Sequence, residues 1–361
     1  MKKSLLAVAA IGAFASAAQA QSSVTVYGIL DVGYIGSNAK EGTNGTAKIQ
    51  KSAFGQSAEQ TSRLGFKGTE DLGGGASAFF TVELGLTPQN SELSGGTAED
   101  RTQRTTQASG SAVDNRQSFV GLKKNGIGQF AFGRQYTPVF NTGAATSPGQ
   151  YNNVIGDVVY AGASSAFSSG TVVTGTNNGI GFTNRASNAL TAQSDRFAGF
   201  QVGGMYAMNN QNQTETVAAG TTSTTAAGGG NTNWNGWGLN GNFTWQKLYV
   251  GVAYQSFKTQ YSTGVFASTP TAANVNLGSP AVTSGQIVSG GVLFPASQIS
   301  DKQTLAGATY DFGILKAYAQ WVNRKATSEI TPTNYISRSA QQIGVRSFVT
   351  PKVEAWASVG N

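Results

Sequence analysis

Trp237-Gly-Leu239-Asn-Gly241-Asn-Phe243-Thr-Trp245 places large apolar side chains at alternate positions with small or polar residues between them. A strand sends successive side chains to opposite faces. Trp237, Leu239, Phe243 and Trp245 therefore share one face, and Gly238, Asn240, Asn242 and Thr244 share the other. The two tryptophans stand about 26 Å apart at ~3.3 Å per residue, or about 18 Å along the normal of a bilayer crossed at ~45°. That is roughly the separation of the aromatic belts flanking the apolar band of a membrane-spanning barrel. A soluble sandwich could bury one such face, but it has less reason to end that face in a tryptophan on either side.

The same alternation returns on both sides of this segment. It runs through 24–34, 62–69, 76–86, 116–124, 128–136, 181–190, 198–208, 248–257, 303–310, 314–323, 338–349 and 352–359, which with 237–245 makes thirteen candidate strands. Their lengths are about those a tilted membrane strand requires. The connections alternate between two kinds. Short ones fall at 70–75, 125–126, 191–197, 246–247, 311–313 and 350–351, and long polar ones at 35–61, 87–115, 137–180, 209–236, 258–302 and 324–337. Short turns on one side and long loops on the other mark an outer-membrane barrel, whereas so many long structureless loops are foreign to a globular domain. The Ser/Thr/Ala/Gly bias of 214–233 and 259–300 fits exposed loops and carries no chemistry. The chain thus reads as all-β, a transmembrane antiparallel β-barrel.

The N-terminus gives the compartment. Lys2 and Lys3 precede a short apolar stretch over 5–14, and Ala18-Gln19-Ala20 supplies a small-x-small cleavage pattern. Residues 1–20 read as a secretory signal peptide, too short and wrongly flanked for a transmembrane helix, which leaves 21–361 as the barrel. No cysteine is present, so disulfides are not the staples here. With only 11% charged residues and 48 glycines the composition leans toward disorder, but 19 Phe, 12 Tyr and 5 Trp need an apolar environment. The formal charge is +7, and without Lys2 and Lys3 the balance is 22 basic to 17 acidic residues. There are no basic runs and no nucleic-acid motif, so nucleic-acid binding is not expected.

Enzymatic chemistry finds no purchase in the chain. It contains no histidine, which excludes a Ser-His-Asp site and removes the commonest metal ligand. No G-x-S-x-G elbow, P-loop or H-E-x-x-H occurs, and Glu70-Asp71 and Glu99-Asp100 read as turn and loop charges. No metal or cofactor is expected.

Three strings carry a family resemblance. They are Ser23-Val-Thr-Val-Tyr-Gly-Ile-Leu-Asp31, Ser62-Arg-Leu-Gly-Phe-Lys-Gly-Thr-Glu-Asp-Leu-Gly73, and Arg116-Gln-Ser-Phe-Val-Gly-Leu122 continuing into Gly128-Gln-Phe-Ala-Phe-Gly-Arg-Gln-Tyr-Thr-Pro138. Together they resemble the trimeric general porins of Gram-negative bacteria, especially the β-proteobacterial branch. Beyond the first 140 residues the likeness is looser. The resemblance implies an outer-membrane homotrimer whose partners are membrane lipid, small hydrophilic solutes and inorganic ions. Such porins close sixteen strands and end on phenylalanine. Here the chain stops at Ser358-Val-Gly-Asn361 after about thirteen strands, so three are expected to be missing.

The resemblance also implies that the loop at 137–180 folds inward to narrow a water-filled channel. In the resembled family, wall arginines face acidic groups on this loop, and between Arg134 and Arg185 the chain holds one charged residue, Asp157. The matched strings make Arg63, Arg116 and Arg185 the wall candidates, with Arg134 alongside. Guanidinium stays ionised, so these would set a fixed positive field and favour anions. Parity agrees for Arg63, opposite in facing to Leu64 and Phe66, and for Arg185, which shares a face with Thr183 and Ser187. It disagrees for Arg134, which shares parity with Phe130 and Phe132 and would snorkel at the interface instead. Lumen acids such as Asp31 or Glu83 would offset the arginines. The competing reading is a secreted or surface all-β adhesin or binding protein, in which strand 237–245 would alternate into a protein core.

Overall fold

A computed structural model describes residues 23–41, 47–56, 60–86, 88, 114–149, 159, 182–213, 230–263, 288–289, 292–293, 296–329, 332 and 335–361. The segment read as a signal peptide and Asp157 both lie outside the described residues. Among those described, the order is β1 (Ser23–Ile29), β2 (Val32–Glu41), β3 (Ala47–Gln56), β4 (Arg63–Gly73), β5 (Ala76–Gly85), β6 (Asp114–Lys124), β7 (Gly128–Tyr136) and a helix, α1 (Pro138–Thr146). Next come β8 (Arg185–Ser194), β9 (Phe200–Gln213), β10 (Gly230–Trp245), β11 (Leu248–Thr263), β12 (Val288–Ser289) and β13 (Val292–Leu293). The last are β14 (Ala296–Asp311), β15 (Lys316–Ser328), β16 (Tyr335–Thr350) and β17 (Val353–Gly360).

Thirteen strands form one sheet in the order β1-β4-β5-β6-β7-β8-β9-β10-β11-β14-β15-β16-β17. Each neighbouring pair is antiparallel, the up-and-down order of a barrel. The thirteen match the candidate strands one for one. Trp237 and Trp245 are 45% and 60% exposed on the outer face, with Leu239, Val250, Val252, Trp321 and Ile343 also exposed there. An adhesin-like sandwich would bury such a row between two sheets. Among the described residues, β1 pairs only with β4 and β17 only with β16.

The structure departs from the sequence reading in three places. The strand expected at 24–34 ends at Ile29, its last residues joining β2, which pairs with β3 as a separate hairpin reaching into the segment read as a loop at 35–61, and β12 and β13 form another inside 258–302. The strand expected at 181–190 begins instead at Arg185, because the residues before it bond to the wall and to α1: the Thr183 amide donates to Gln303 Oε1 at 2.9 Å, and the Thr137 amide to the Asn184 carbonyl at 2.9 Å. Several strands also run further toward the loops than alternation indicated. β10 pairs with β11 from Gly230 to Trp245, through Asn- and Thr-rich positions. Backbone pairing does not depend on apolar side chains, so the ladder continues where the alternation has faded.

Part of the inner face, on β9 to β11, β14 and β15, carries α1. Thr137 caps it by accepting from the Phe140 amide, and Pro138 starts it, where a missing N–H costs nothing. Val139 packs with Val159, Phe182, Ala253, Leu305, Val322 and Ala340, with Phe140 alongside. Small residues let the helix approach the wall. A Cβ on Gly307 would stand 2.5 Å from Thr146 Oγ1, and one on Gly251 would stand 2.9 Å from Thr142 Cγ2. These two glycines are cross-strand neighbours, Gly251 on β11 and Gly307 on β14, so they form one shallow seat. Gly307→Val is expected to lift α1 off the wall at a cost of about 1–3 kcal/mol from overpacking. Urea unfolding in detergent checks it, and an unchanged midpoint would show that the helix does not rest on this seat.

Candidate functional site

The charged part of the inner wall is built on β1, β4, β5, β6, β7 and β8. Glu83 is at its centre and only 3% exposed. Its Oε1 accepts from Arg116 Nε at 2.8 Å, its Oε2 lies 3.8 Å from Arg63 NH1, and the Tyr27 hydroxyl donates to Oε2 at 3.1 Å. Arg63 is held further by the Thr61 carbonyl and Gln60 Oε1, each at 2.9 Å. Arg116 NH2 donates to the Tyr136 hydroxyl at 2.7 Å. The Tyr136 ring stacks on Phe140 of α1, centroids 4.1 Å apart and planes 9° from parallel, and the Arg185 guanidinium lies 5.1 Å from the same ring. A continuous chain of contacts thus joins Arg63, Glu83, Arg116, Tyr136 and the helix.

Irregularities in the ladder decide which arginines join it. Simple alternation would place Arg116 with Val120 and Leu122, which are exposed on the outer face. Between β5 and β6 the register shifts, with Glu83 opposite Gln117 and Leu84 opposite Asn115, so Arg116 is the extra residue and turns to Glu83. A second shift lies between Gly133 and Gln135 on the β7–β8 ladder. Gly133 has φ 139°, and a Cβ there would meet the Ser118 carbonyl oxygen at 2.2 Å. The parity read through Phe130 and Phe132 therefore does not extend to Arg134. That residue is 8% exposed and donates to the Asn115 carbonyl at 2.6 Å and to Ser187 Oγ at 3.0 Å.

The sequence-derived acids fare differently. Asp157 is outside the described residues, and Asp31 accepts from the Gln60 amide at 2.6 Å, closing the base of the β2–β3 hairpin. Within the described cluster, Arg63 and Arg116 share the carboxylate of Glu83, and Arg185 lies against the Tyr136 ring beside them.

The opposite wall was not legible in the sequence. Gln255 Oε1 accepts from the Val139 amide at 3.2 Å, while its Nε2 donates to the Thr183 carbonyl at 3.0 Å and to Gln303 Oε1 at 2.8 Å. Gln303 Nε2 donates to Thr183 Oγ1 and to Asp301 Oδ2, both at 3.0 Å. Gln320 Nε2 donates to the Gly143 carbonyl at 2.9 Å and to Thr146 Oγ1 at 2.8 Å. Asp301 pairs with Arg324, Nε to Oδ1 at 2.9 Å and NH2 to Oδ2. The amides of α1 and its return segment, buried in the lumen, are thereby satisfied by wall glutamines.

A family model described as Gram-negative porin matches residues 7–360. An outer membrane porin protein of Bordetella pertussis is 40% identical over 144 residues, 37% of this chain and 34% of that protein. Outer membrane porin protein 32 of Delftia acidovorans is 32% identical over 225 residues, 60% of this chain and 52% of that protein. These alignments span about a third to a half of the relatives' lengths. Among solved structures, an anion-selective porin from Comamonas acidovorans shares the fold at TM-score 0.58 and 22% identity, over 94% of this chain and 78% of that one.

Proposed function

The chain belongs to the Gram-negative porin family, and we propose that it forms a water-filled, anion-preferring channel through the outer membrane for passive diffusion of small hydrophilic solutes and ions. The observation that carries this reading is an inner wall lined by Arg63 and Arg116 at Glu83, Arg185 at Tyr136 and Arg134 at Ser187, beside a helix held inside the barrel. The constriction lies between these arginines and the segment 137–180. Arg63, Arg116 and Arg185 beside one carboxylate leave an excess of positive charge, and low-dielectric walls strengthen its field on a passing ion. Asp157 is proposed to face the arginines and to offset part of that excess. The anion selectivity of the Comamonas porin supports the same sign here. A homotrimer in outer-membrane lipid is the proposed assembly.

Planar-bilayer recording of the purified protein tests the channel itself. Stepwise, ohmic conductance increments are expected on insertion. Insertion without conductance would set the channel reading aside.

A further inference from the structure

Alternation at the loop-side end of β11, β14 and β15 puts three lysines on the outer face. Lys302 stands between Asp301 and Gln303, and Lys325 between Arg324 and Ala326; all four of these neighbours are buried on the inner face. Lys258 follows the buried Phe257. All three lysines are exposed. Lys302 and Lys325 are direct cross-strand partners, and β11 lies beside β14. Side chains so paired have Cβ atoms about 4.5–5.5 Å apart, and like charges in that position repel. Among the described residues neither has a carboxylate within ion-pair distance, whereas Lys258 Nζ lies 3.0 Å from Glu329 Oε1.

Their height on the barrel is informative. Lys302 is nine residues from Asp311 and Lys325 nine from Lys316, the short-turn ends of their strands. Trp237 is eight from Trp245, at the short-turn end of β10. The lysines thus lie level with the loop-side aromatic belt, about 20 Å from the short turns at ~3.3 Å per residue and ~45° tilt. Tyr254 sits against Trp237 at 5.3 Å, and Lys325 Nζ is 4.3 Å from the Tyr335 ring centroid. Below them the face is apolar, with Val250, Val252 and Trp321 exposed. Cations paired at the headgroup level, with no carboxylate beside them among the described residues, with aromatic rings around them and an acyl-facing surface below, suit an anionic headgroup whose tails lie on that surface.

We propose that Lys302 and Lys325, flanked by Lys258, bind a lipid-borne phosphate, the headgroup of a phosphorylated glycolipid in the outer leaflet. The proposal rests on the outer-membrane reading but not on anion preference. Ammonium groups give charge-assisted hydrogen bonds to phosphate oxygens and remove the repulsion within the pair.

Native mass spectrometry of the full chain in detergent, titrated with bisphosphorylated lipid A, tests it. Wild type is expected to retain the glycolipid, with on the order of a tenfold loss of affinity in K302Q/K325Q. K302R/K325R should retain it, and dephosphorylated lipid A should bind wild type no better than the double variant. Equal binding by wild type and K302Q/K325Q would overturn the proposal. So would an equal loss in K352Q, at a short turn, or competition by inorganic phosphate alone, which would mark a free-anion site. Bilayer conductance separates the two failures: a conducting wild type that ignores the phosphate overturns this proposal alone, and one that neither conducts nor binds lipid A overturns the membrane reading with it.

Discussion

Asp301→Ala is expected to lower the unfolding free energy by about 3–5 kcal/mol, the cost of leaving one partner of a buried ion pair uncompensated. Arg324 is 1% exposed, and Arg338 of β16 is its direct cross-strand neighbour. Arg324 bonds to both carboxylate oxygens of Asp301, so the substitution removes that pair next to a second guanidinium on the same inner face. The same carboxylate orients Gln303, which bonds to both Thr183 and Gln255, so the damage should reach the segment returning from the lumen. Urea denaturation in detergent reads the stability. Asp301→Asn, which keeps the shape but not the charge, should recover only a minor part. A loss below about 1 kcal/mol for Asp301→Ala would show that water or other groups compensate Arg324.

Glu83→Gln carries the second large effect, and it divides into two measurable parts. Removing the charge that sits between Arg63 and Arg116 leaves both guanidiniums without their shared carboxylate. The expected loss of stability is again about 3–5 kcal/mol, tempered by the Tyr136 hydroxyl that Arg116 keeps. At the same time the fixed charge of the cluster rises by one, so anion preference should increase in the variant that does insert. A Glu83→Gln channel with weaker anion preference than wild type would mean that the cluster does not face the ion path.

The fold was legible because its signals are local. Period-two alternation and the difference between short turns and long loops need no knowledge of what lies across the barrel, and they found all thirteen strands of the sheet. The site was legible only in part. Arg63 follows plain alternation, whereas Arg116 and Arg134 sit at register shifts that cancel parity, and no feature of Arg116-Gln-Ser-Phe announces a bulge. The helix seat depends on Gly251 and Gly307, which in sequence are two glycines among 48. The glutamine contacts are more remote still: Thr183 and Gln303 are 120 residues apart, and only the curved path of the sheet brings them together. Polar upper strand segments were read as loop because alternation fades where lipid ends.

An arginine-lined constriction is tested most directly by the reversal potential across a salt gradient, wild type against Arg63→Ala with Arg185→Ala. Wild type should prefer anions, and the double variant should shift toward zero or toward cations. The difference should shrink with ionic strength, since screening shortens from ~10 Å at 0.1 M to ~3 Å at 1 M. Cation preference in wild type, or the same potential in both proteins, would contradict such a constriction.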